Sequence, residues 1–246
     1  MTPGSVDVVL VRPSRPGNVA AACRAMKNMG LGSLILVDPP SGLASAEARA
    51  LAYGAWDVLD AARTAPTLRE ATAAATLVAG TSGRPSAGAW TPRRLAEEGA
   101  TRAGGGRTAL VFGPESSGLR NDELGLCHVT VHIPSDPAHP SLNLAQAVLV
   151  LAYEIRVTAL NAAPAAAHEE ERATAGEIEA ALDDLGDALL RIGYLNPDNP
   201  GKVLAELRAL LARAGPTPRE TTLLRGLARQ IRWSADAVAR DGGPDG

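Results

Sequence analysis

The first 160 residues alternate short strand-like runs with helical segments, and this alternation constrains the fold more than any other feature. The runs are rich in Val, Ile, Leu or Thr and are bounded by glycine, proline or polar turns. They span Val6–Val11, Leu34–Val37, Thr76–Ala79, Thr108–Phe112 and Val129–Pro134. Several are apolar throughout, as is typical of strands covered on both faces. The pattern predicts an α/β fold with a mostly parallel sheet and helices on both faces.

The helical segments between these runs are predicted from apolar periodicity and from capping residues. They span Asn18–Met29, Ser45–Leu51, Asp57–Arg63, Leu68–Ala75 and a long helix from Asn143 to about Leu160. Asn18 is a favourable N-cap residue, and Gly30 is expected to end the same helix.

A change of pattern near residue 161 divides the chain. Residues 161–173 contain a proline, an alanine run and an acidic cluster, and we expect a linker there. The following segment is wholly helical and opens with a capping box formed by Thr174 and Glu177. We therefore expect an α/β domain at 1–160, a small all-helical domain at 174–240 and a disordered tail at 241–246.

The composition favours an ordinary soluble domain and excludes several classes. Of 246 residues, 46% are apolar and 21% charged, as in typical globular proteins. Two cysteines exclude a disulfide scaffold, and the N-terminus lacks the basic region of a secretory signal. The longest apolar runs are shorter than the roughly 20 residues of a membrane span. We expect a cytoplasmic protein with no membrane partner.

The net charge of −3 argues at first against a nucleic-acid partner. The segment from 191 to 232, however, holds eight basic and three acidic residues, a local charge of 8 − 3 = +5. Helical spacing predicts one face with Arg225, Arg229 and Arg232, opposite a face with Leu223, Leu224, Leu227 and Ile231. Such a helix could dock by its leucines and offer its arginines to phosphate. A solvated face with no partner is the alternative.

The common nucleotide and metal motifs are absent from the sequence. It contains neither G-x-G-x-x-G after the first strand nor G-x-x-x-x-G-K-[ST]. Cys127, His128, His132 and His139 lack the paired spacing of metal ligands, so we expect no metal. The segment 113–118 also lacks the G-x-S-x-G arrangement of a hydrolase elbow.

Three polar loops instead follow predicted strands. The first runs from 12 to 18 and leads to Arg24, the second presents Glu115 between glycines, and the third carries Ser141 and Asn143. Ligands of open α/β sheets bind outside the carboxyl ends of the strands. The three loops are therefore expected to form one site.

The motifs N-x₅-R, G-x-E-x-x-G-L and I-P…S-L-N-x-A, in this order, resemble those of SPOUT-class RNA 2′-O-ribose methyltransferases. The resemblance extends to the TrmJ group through PGNVAAACRAMKNMGL at the start, GTS at 80–82 and DNPGKVLAELRALLARAGPTPRETTLLRGLARQI in the tail. It covers nearly the whole chain. It implies a deep C-terminal trefoil knot, a homodimer, the cofactor S-adenosylmethionine, and methylation of the ribose of nucleotide 32 in the tRNA anticodon loop. It also implies that the helical domain at 174–240 recognises tRNA, dimerises or does both.

The resemblance also assigns residues to the site. The catalytic and substrate-positioning places fall on Asn18, Arg24, Glu115, Ser141 and Asn143. The cofactor pocket falls on Thr81, Ser82, Gly83, Gly113, Ile133, Ser141 and Leu142. RNA contacts are expected from Arg15, Arg84, Arg225, Arg229 and Arg232, with Arg93 and Arg94 as further candidates. Pro114 and Ser116 depart from the family, because relatives often carry arginine there.

The chemistry limits what these residues can do. Methyl transfer from a sulfonium is a direct displacement and needs no metal or covalent intermediate. Because a guanidinium stays protonated in proteins, we expect Arg24 to grip a phosphate and the hydroxyl rather than act as the base. Glu115 is expected to fix a polar network across the dimer interface. The alternatives are a ribosomal RNA 2′-O-methyltransferase and a catalytically silent, cofactor-binding RNA-binding homodimer.

Overall fold

The structure, a computed structural model, describes residues 1–161 and 171–241. Most of the predicted linker at 161–173 and of the predicted disordered tail at 241–246 lies outside the described residues.

A six-stranded sheet in the order β3-β2-β1-β5-β4-β6 forms the centre of the first 160 residues. The strands are β1 Val6–Val11, β2 Ser33–Val37, β3 Arg63–Ala65, β4 Leu77–Thr81, β5 Thr108–Phe112 and β6 Val129–Val131. Every described pair is parallel. The central strands are buried along their whole length because helices cover both faces. The prediction of a parallel α/β sheet is confirmed.

Ten α-helices are described. They are α1 Pro16–Met29, α2 Ala46–Leu51, α3 Trp56–Asp60, α4 Leu68–Thr72, α5 Pro92–Ala103, α6 Asn121–Leu124, α7 Leu144–Asn161, α8 Ala175–Arg191, α9 Gly201–Ala214 and α10 Pro218–Asp241. Thr174 caps α8 in the predicted capping box with Glu177. Gly30 and Gly104 end α1 and α5 in the left-handed conformation.

The two faces of the sheet carry different helices. One face of β1, with Val6, Val8 and Leu10, packs with α1, α5 and α7. The other face, with Val9 and Val11, packs with α4 and the start of α8. The alternation of β1 side chains between the two layers explains why its sequence is apolar at almost every position.

Helix α7 is, within the described part of the chain, the helix long and apolar enough to cross a membrane by length and composition. Its sequence is not one uninterrupted apolar run, because Gln146, Glu154 and Arg156 lie within it. Helices buried in a protein core meet the same criterion. In this structure α7 buries Leu144, Val148, Leu151, Ala152 and Ile155 in the core beside α1.

Several predicted elements need correction. The predicted helix Asp57–Arg63 stops at Asp60, and Arg63 begins the edge strand β3, which pairs with β2 on one side. Helix α5 was missed, although Thr91 caps it and Pro92 opens it. The short helix α6 was also missed. Asn18 is not an N-cap, because α1 begins two residues earlier at Pro16.

The C-terminal helices pack directly on the sheet domain. At the start of α8, the Ala175 amide donates to the Ala75 carbonyl at 2.7 Å and the Gly176 amide to the Ala73 carbonyl at 3.0 Å. The Arg102 guanidinium donates to the Ala212 carbonyl at the end of α9. These bonds hold α8 and α9 against α4 and α5.

The predicted orientation of α10 is wrong in part. Arg225 and Arg232 both form ion pairs with Asp184 on α8, at 2.8 and 3.3 Å. Leu223 and Leu227 are exposed, whereas Leu224 and Ile231 pack on α8. The arginine face therefore lies partly at the helix interface, because an acidic residue on a neighbouring helix attracts it.

A buried carboxylate marks the amino end of the sheet. Asp7 on β1 accepts hydrogen bonds from the Arg107 guanidinium, at 2.5 and 2.8 Å, and from the Ser33 hydroxyl. Burial alone would raise the pKa of Asp7, but these bonds outweigh it and lower the pKa. The ionised carboxylate therefore stabilises the junction of three strands.

The substitution Asp7→Asn should lower the free energy of unfolding at pH 7 by about 2 kcal/mol, the range for hydrogen bonds to a charged group. Because the pKa of Asp7 is lowered in the folded protein, this contribution is present above the unfolded value of about 3.9 and is lost as the pH falls further. Urea unfolding at pH 7 and pH 3 should show the difference between the two proteins narrowing. Asp60→Asn, at an exposed ion pair with Arg49, is the matched control with little effect.

Candidate functional site

A cavity opens at the carboxyl edge of the sheet, where the loops after β4, β5 and β6 meet. Its volume is about 690 Å³. The lining includes all seven residues predicted for the cofactor pocket: Thr81, Ser82, Gly83, Gly113, Ile133, Ser141 and Leu142. The structure therefore brings together the predicted pocket residues, which come from three separated stretches of chain.

Glycines let the loops come close to one another and to a ligand. A Cβ atom at Gly113 would overlap the backbone of Gly118 and Leu119, so the loop after β5 can fold back on itself only with glycine there. At Gly83 and Gly118, an added Cβ would meet open space. Backbone groups at these two positions are therefore accessible from the cavity.

A hydrogen-bond network connects the three polar loops. Glu115 accepts hydrogen bonds from the Asn18 side chain at 2.5 Å, and from the Ser14 hydroxyl and amide at 2.6 and 3.0 Å. The Asn143 side-chain amide donates to the Asn18 oxygen at 3.3 Å. Within this chain Glu115 thus connects the loop after β1 to its own loop after β5, and the expectation that its network extends across a dimer interface stays a prediction. Ser14 was missed, although it lies in the first predicted loop.

Glu115 is an anion at neutral pH. Burial alone would raise its pKa, but the hydrogen bonds from Ser14 and Asn18 outweigh burial and lower the pKa. The carboxylate therefore accepts all three bonds without carrying a proton. Its role is to orient the donors around it.

The start of α1 explains why Asn18 is available to this network. Pro16 occupies the first turn, where its missing N–H costs no hydrogen bond, and Arg15 is the N-cap. Asn18 is then inside the helix, and its side chain extends to Glu115 instead of capping the backbone. At α7, the Asn143 oxygen accepts from the Ala145 amide, so Asn143 caps the long helix.

A second ion-pair cluster lies beside the network, and the sequence analysis missed it. The Arg12 guanidinium donates with two nitrogens to Glu123 on α6. Only 6% of the Glu123 side chain is exposed, and the Arg120 amide also donates to it at 2.8 Å. Arg12 has a φ of 46°, an uncommon value for a residue other than glycine. The pair ties the loop after β1 to the loop after β5.

The remaining predicted residues are placed as follows. Ser141 and Arg84 line the cavity. Arg24 and Arg15 are exposed and, like Asn18 and Asn143, are not among the described lining residues. The hydrogen bonds of the Glu115 network within residues 1–161 and 171–241 do not include Arg24. Arg93 pairs with Glu154 at 3.4 Å, and Arg94 pairs with Glu98 at 2.9 Å.

Cys127 and His128 lie directly before β6 and are not among the described lining residues of the cavity. Burial raises the pKa of the Cys127 thiol to about 12 and lowers the pKa of His128 to about 4. The His128 ring accepts a hydrogen bond from the Val78 amide at 3.1 Å, which requires an unprotonated Nδ1. Across residues 1–161 and 171–241, no group of three His, Cys, Asp or Glu side chains could hold a metal ion.

The architecture matches that of solved methyltransferases, and family models place the chain in a class of RNA-modifying enzymes. The model of the SpoU rRNA Methylase family matches residues 5–153, and that of the tRNA methyltransferase TrmJ C-terminal domain matches residues 176–241. The chain therefore belongs to the SpoU methylase family, in its TrmJ branch.

Two curated relatives resemble nearly the whole chain. The tRNA (cytidine/uridine/adenosine-2′-O-)-methyltransferase TrmJ of Pseudomonas aeruginosa is 43% identical, and the match covers 95% of this chain and 96% of the relative. The tRNA (cytidine/uridine-2′-O-)-methyltransferase TrmJ of Klebsiella pneumoniae is 42% identical, and the match covers 92% of this chain and 96% of the relative.

Solved structures agree with this placement. TrmJ from Z. mobilis superposes with a TM-score of 0.79 at 33% identity, covering 92% of this chain and 98% of that chain. A structure described as giving insights into the 2-OH methylation of C/U34 on tRNA superposes with a TM-score of 0.52 at 28% identity. The match covers 65% of this chain and 99% of that chain. The SpoU methyltransferase AviRb of Streptomyces viridochromogenes, solved with AdoMet, shares the fold with a TM-score of 0.52 at 21% identity, covering 66% and 63%.

Proposed function

We propose that this protein transfers a methyl group from S-adenosylmethionine to a ribose 2′-hydroxyl of tRNA, at nucleotide 32 of the anticodon loop. The observation that carries the proposal is the network in which Glu115 joins Ser14 and Asn18, with Asn143 bonded to Asn18. It places polar groups from three loops beside a cavity large enough for a cofactor. The TrmJ relatives of this protein are named as tRNA 2′-O-methyltransferases.

The cavity fits S-adenosylmethionine by its size and chemistry. About 690 Å³ lies within the range of small-molecule sites. Thr81, Ser82 and Gly83 would hold the cofactor from the loop after β4, and Ile133, Ser141 and Leu142 from the loop after β6. When bound, the cofactor supplies an electrophilic methyl group on a sulfonium.

The residues of this chain orient the nucleophile. A ribose hydroxyl is a weak nucleophile until it is aligned and its proton is drawn away. Asn18, fixed by Glu115 and Asn143, would donate or accept at the ribose, and Ser141 would hydrogen-bond the substrate from the cavity wall. Arg24 would bind the neighbouring phosphate with its fork of N–H groups and stabilise developing negative charge on the hydroxyl oxygen.

A trefoil knot is supported by the surroundings of β6. The Ser82 amide donates to the Val131 carbonyl at 2.9 Å from one side. From the other side, the Trp90 amide donates to the Thr130 carbonyl at 2.8 Å, and the His132 amide donates to the Trp90 carbonyl at 2.9 Å. The segment 82–90 thus passes around β6, and the chain that follows β6 would thread the loop that this segment forms.

We also propose that the chain has two functional units. The methyltransferase domain comprises residues 1–160, and the helical domain comprises residues 174–240. The two family models, which match 5–153 and 176–241, support this division. The helical unit would contribute to tRNA recognition. The cytoplasm is the expected location, consistent with the two free cysteines, Cys23 and Cys127.

An exposed apolar area supports a homodimer. Leu149 and Tyr153 are exposed one turn apart on α7. Bonds from Asn143 to Asn18 and from Arg156 to Met29 show that α7 and α1 run parallel, which places Leu149 level with Arg24. Leu51, Tyr53 and Trp56, from the segment that packs on the other side of α1, are also exposed. A second copy on this face would cover the apolar side chains, and one protomer could supply Arg24 to the cavity of the other.

Incubation with S-adenosylmethionine and tRNA transcripts should methylate the ribose of nucleotide 32, mapped by mass spectrometry of nuclease fragments. Glu115→Gln and Arg24→Ala should each lower kcat by about 100-fold or more, because each removes a group that orients or stabilises the reacting hydroxyl. Lys27→Ala, on the same helix as Arg24, is the matched control and should keep full activity. Methylation at nucleotide 34 would overturn the assigned position, and methylation of ribosomal RNA alone would overturn the tRNA assignment.

Sedimentation velocity should show a particle of twice the 25.3 kDa chain mass. Tyr153→Asp should produce a monomer, because it places a charge in the apolar contact, and should abolish most methylation by separating Arg24 from the cavity it serves. Tyr194→Asp, at an exposed tyrosine on the tail, should remain dimeric. A Tyr153→Asp variant that remained an active dimer would contradict this interface.

The tail arginines should differ in their effect on tRNA affinity. Arg229 is exposed and has no ion pair in the part of the chain that the structure describes, whereas Arg225 pairs with Asp184. Arg229→Ala should weaken tRNA binding several-fold in a filter-binding assay at moderate salt. Arg225→Ala should change affinity less than twofold. Equal losses in the two variants would show that pairing with Asp184 does not withhold Arg225 from RNA.

A further inference from the structure

The described lining of the cavity carries more cationic than anionic side chains. Among its described lining residues, the cationic side chains are Arg84 and Arg120 and the anionic one is Glu115. Glu115 is turned towards Ser14 and Asn18, which satisfy its oxygens. The two arginines therefore determine the charge that a ligand meets at this part of the cavity.

Arg120 is held in place by acidic neighbours. Its Nη2 atom lies 3.2 Å from Glu123 Oε1 and its Nε atom 3.3 Å from Asp122 Oδ1. Its backbone is fixed as the N-cap of α6. Despite these contacts, 61% of the side chain is exposed. Arg225 on the tail is also paired and exposed, but Arg120 differs in lining the cavity, so its guanidinium is positioned and accessible where a ligand would enter.

The cluster of Arg12, Arg120, Asp122 and Glu123 is balanced in formal charge, and Arg120 is its more exposed cation. Glu123 is shared between Arg12 and Arg120, so one buried carboxylate balances two guanidinium groups. Asp122 is 70% exposed, and water and salt screen its charge effectively. Arg12 binds Glu123 with two nitrogens, which orients the carboxylate that in turn holds Arg120.

We propose that Arg120 binds a phosphate of the substrate RNA at the mouth of the cavity, with Arg12 and Glu123 as positioning residues. This inference depends on the proposed function for the identity of the polyanion. An RNA phosphate and the carboxylate of the cofactor share the chemistry that a guanidinium recognises. The exposure of Arg120 favours the phosphate, because the RNA approaches from solvent whereas the cofactor lies among the loops.

The test compares wild type with Arg120→Ala and Arg120→Lys in the full-length protein. Binding of fluorescently labelled tRNA is measured by anisotropy over a series of salt concentrations. Arg120→Ala should weaken binding several-fold and reduce the slope of log K against log salt by about 0.7 to 1, the value for one lost phosphate contact. Arg120→Lys should retain most of the slope. KM for tRNA should rise, while kcat stays within about twofold and the Kd for S-adenosylmethionine by calorimetry is unchanged.

Arg49→Ala is the matched control, because Arg49 is also exposed and ion-paired but is not among the described lining residues. It should keep the wild-type salt slope. An unchanged slope in Arg120→Ala overturns the proposal, and so does weaker cofactor binding with an unchanged slope, which would assign Arg120 to the carboxylate instead. Arg120→Gln gives the same readout if the alanine variant unfolds. The salt slopes of the variants are compared on an RNA that the wild type binds. This comparison can therefore succeed or fail independently of whether the RNA is methylated at nucleotide 32.

Discussion

The carboxylate of Glu115 connects the loops on which the candidate site depends. Ser14 and Asn18 follow β1, and Glu115 follows β5, the strand next to β1 in the sheet. Because neighbouring parallel strands deliver their loops to the same edge, residues almost a hundred positions apart meet at hydrogen-bond distance. The lowered pKa keeps the carboxylate ionised, so it can accept from every donor that surrounds it. The positions of Asn18 and, through it, Asn143 follow from this one group.

Strand β1 is held by a carboxylate–guanidinium pair near each end. Asp7 pairs with Arg107 at the amino end, and Arg12, just beyond the carboxyl end, pairs with Glu123. In each pair the carboxylate is buried and the arginine is partly exposed, so the guanidinium keeps some hydration. Breaking such a pair leaves a buried charge without a partner, which is costly, whereas the intact pair fixes geometry more than it adds stability. The second pair therefore serves the site, since it limits movement of the loop that carries Ser14.

Local sequence patterns predicted elements whose environment is uniform. The bounds of β1 and β5 were predicted correctly because both strands are covered on both faces, so every position is buried and almost every residue is apolar. The edge strand β3 was missed because it pairs on one side and carries exposed Arg63. The three loops of the site could be found from strand ends and motifs. The Arg12–Glu123 pair could not, because nothing in either segment identifies a partner 111 positions away.

Because local patterns do not identify distant partners, the predicted arginine face of α10 was also wrong in part. A helical wheel of α10 places Arg225, Arg229 and Arg232 together, but Asp184 on α8 takes two of them. The locally basic stretch therefore offers less free positive charge than its composition suggests. Recognition of RNA then depends on separate cations presented around the cavity and on α10, rather than on one continuous basic face. A surface of this kind constrains the orientation of a folded RNA. Only a substrate whose phosphates match the spacing of those cations can contact all of them at once.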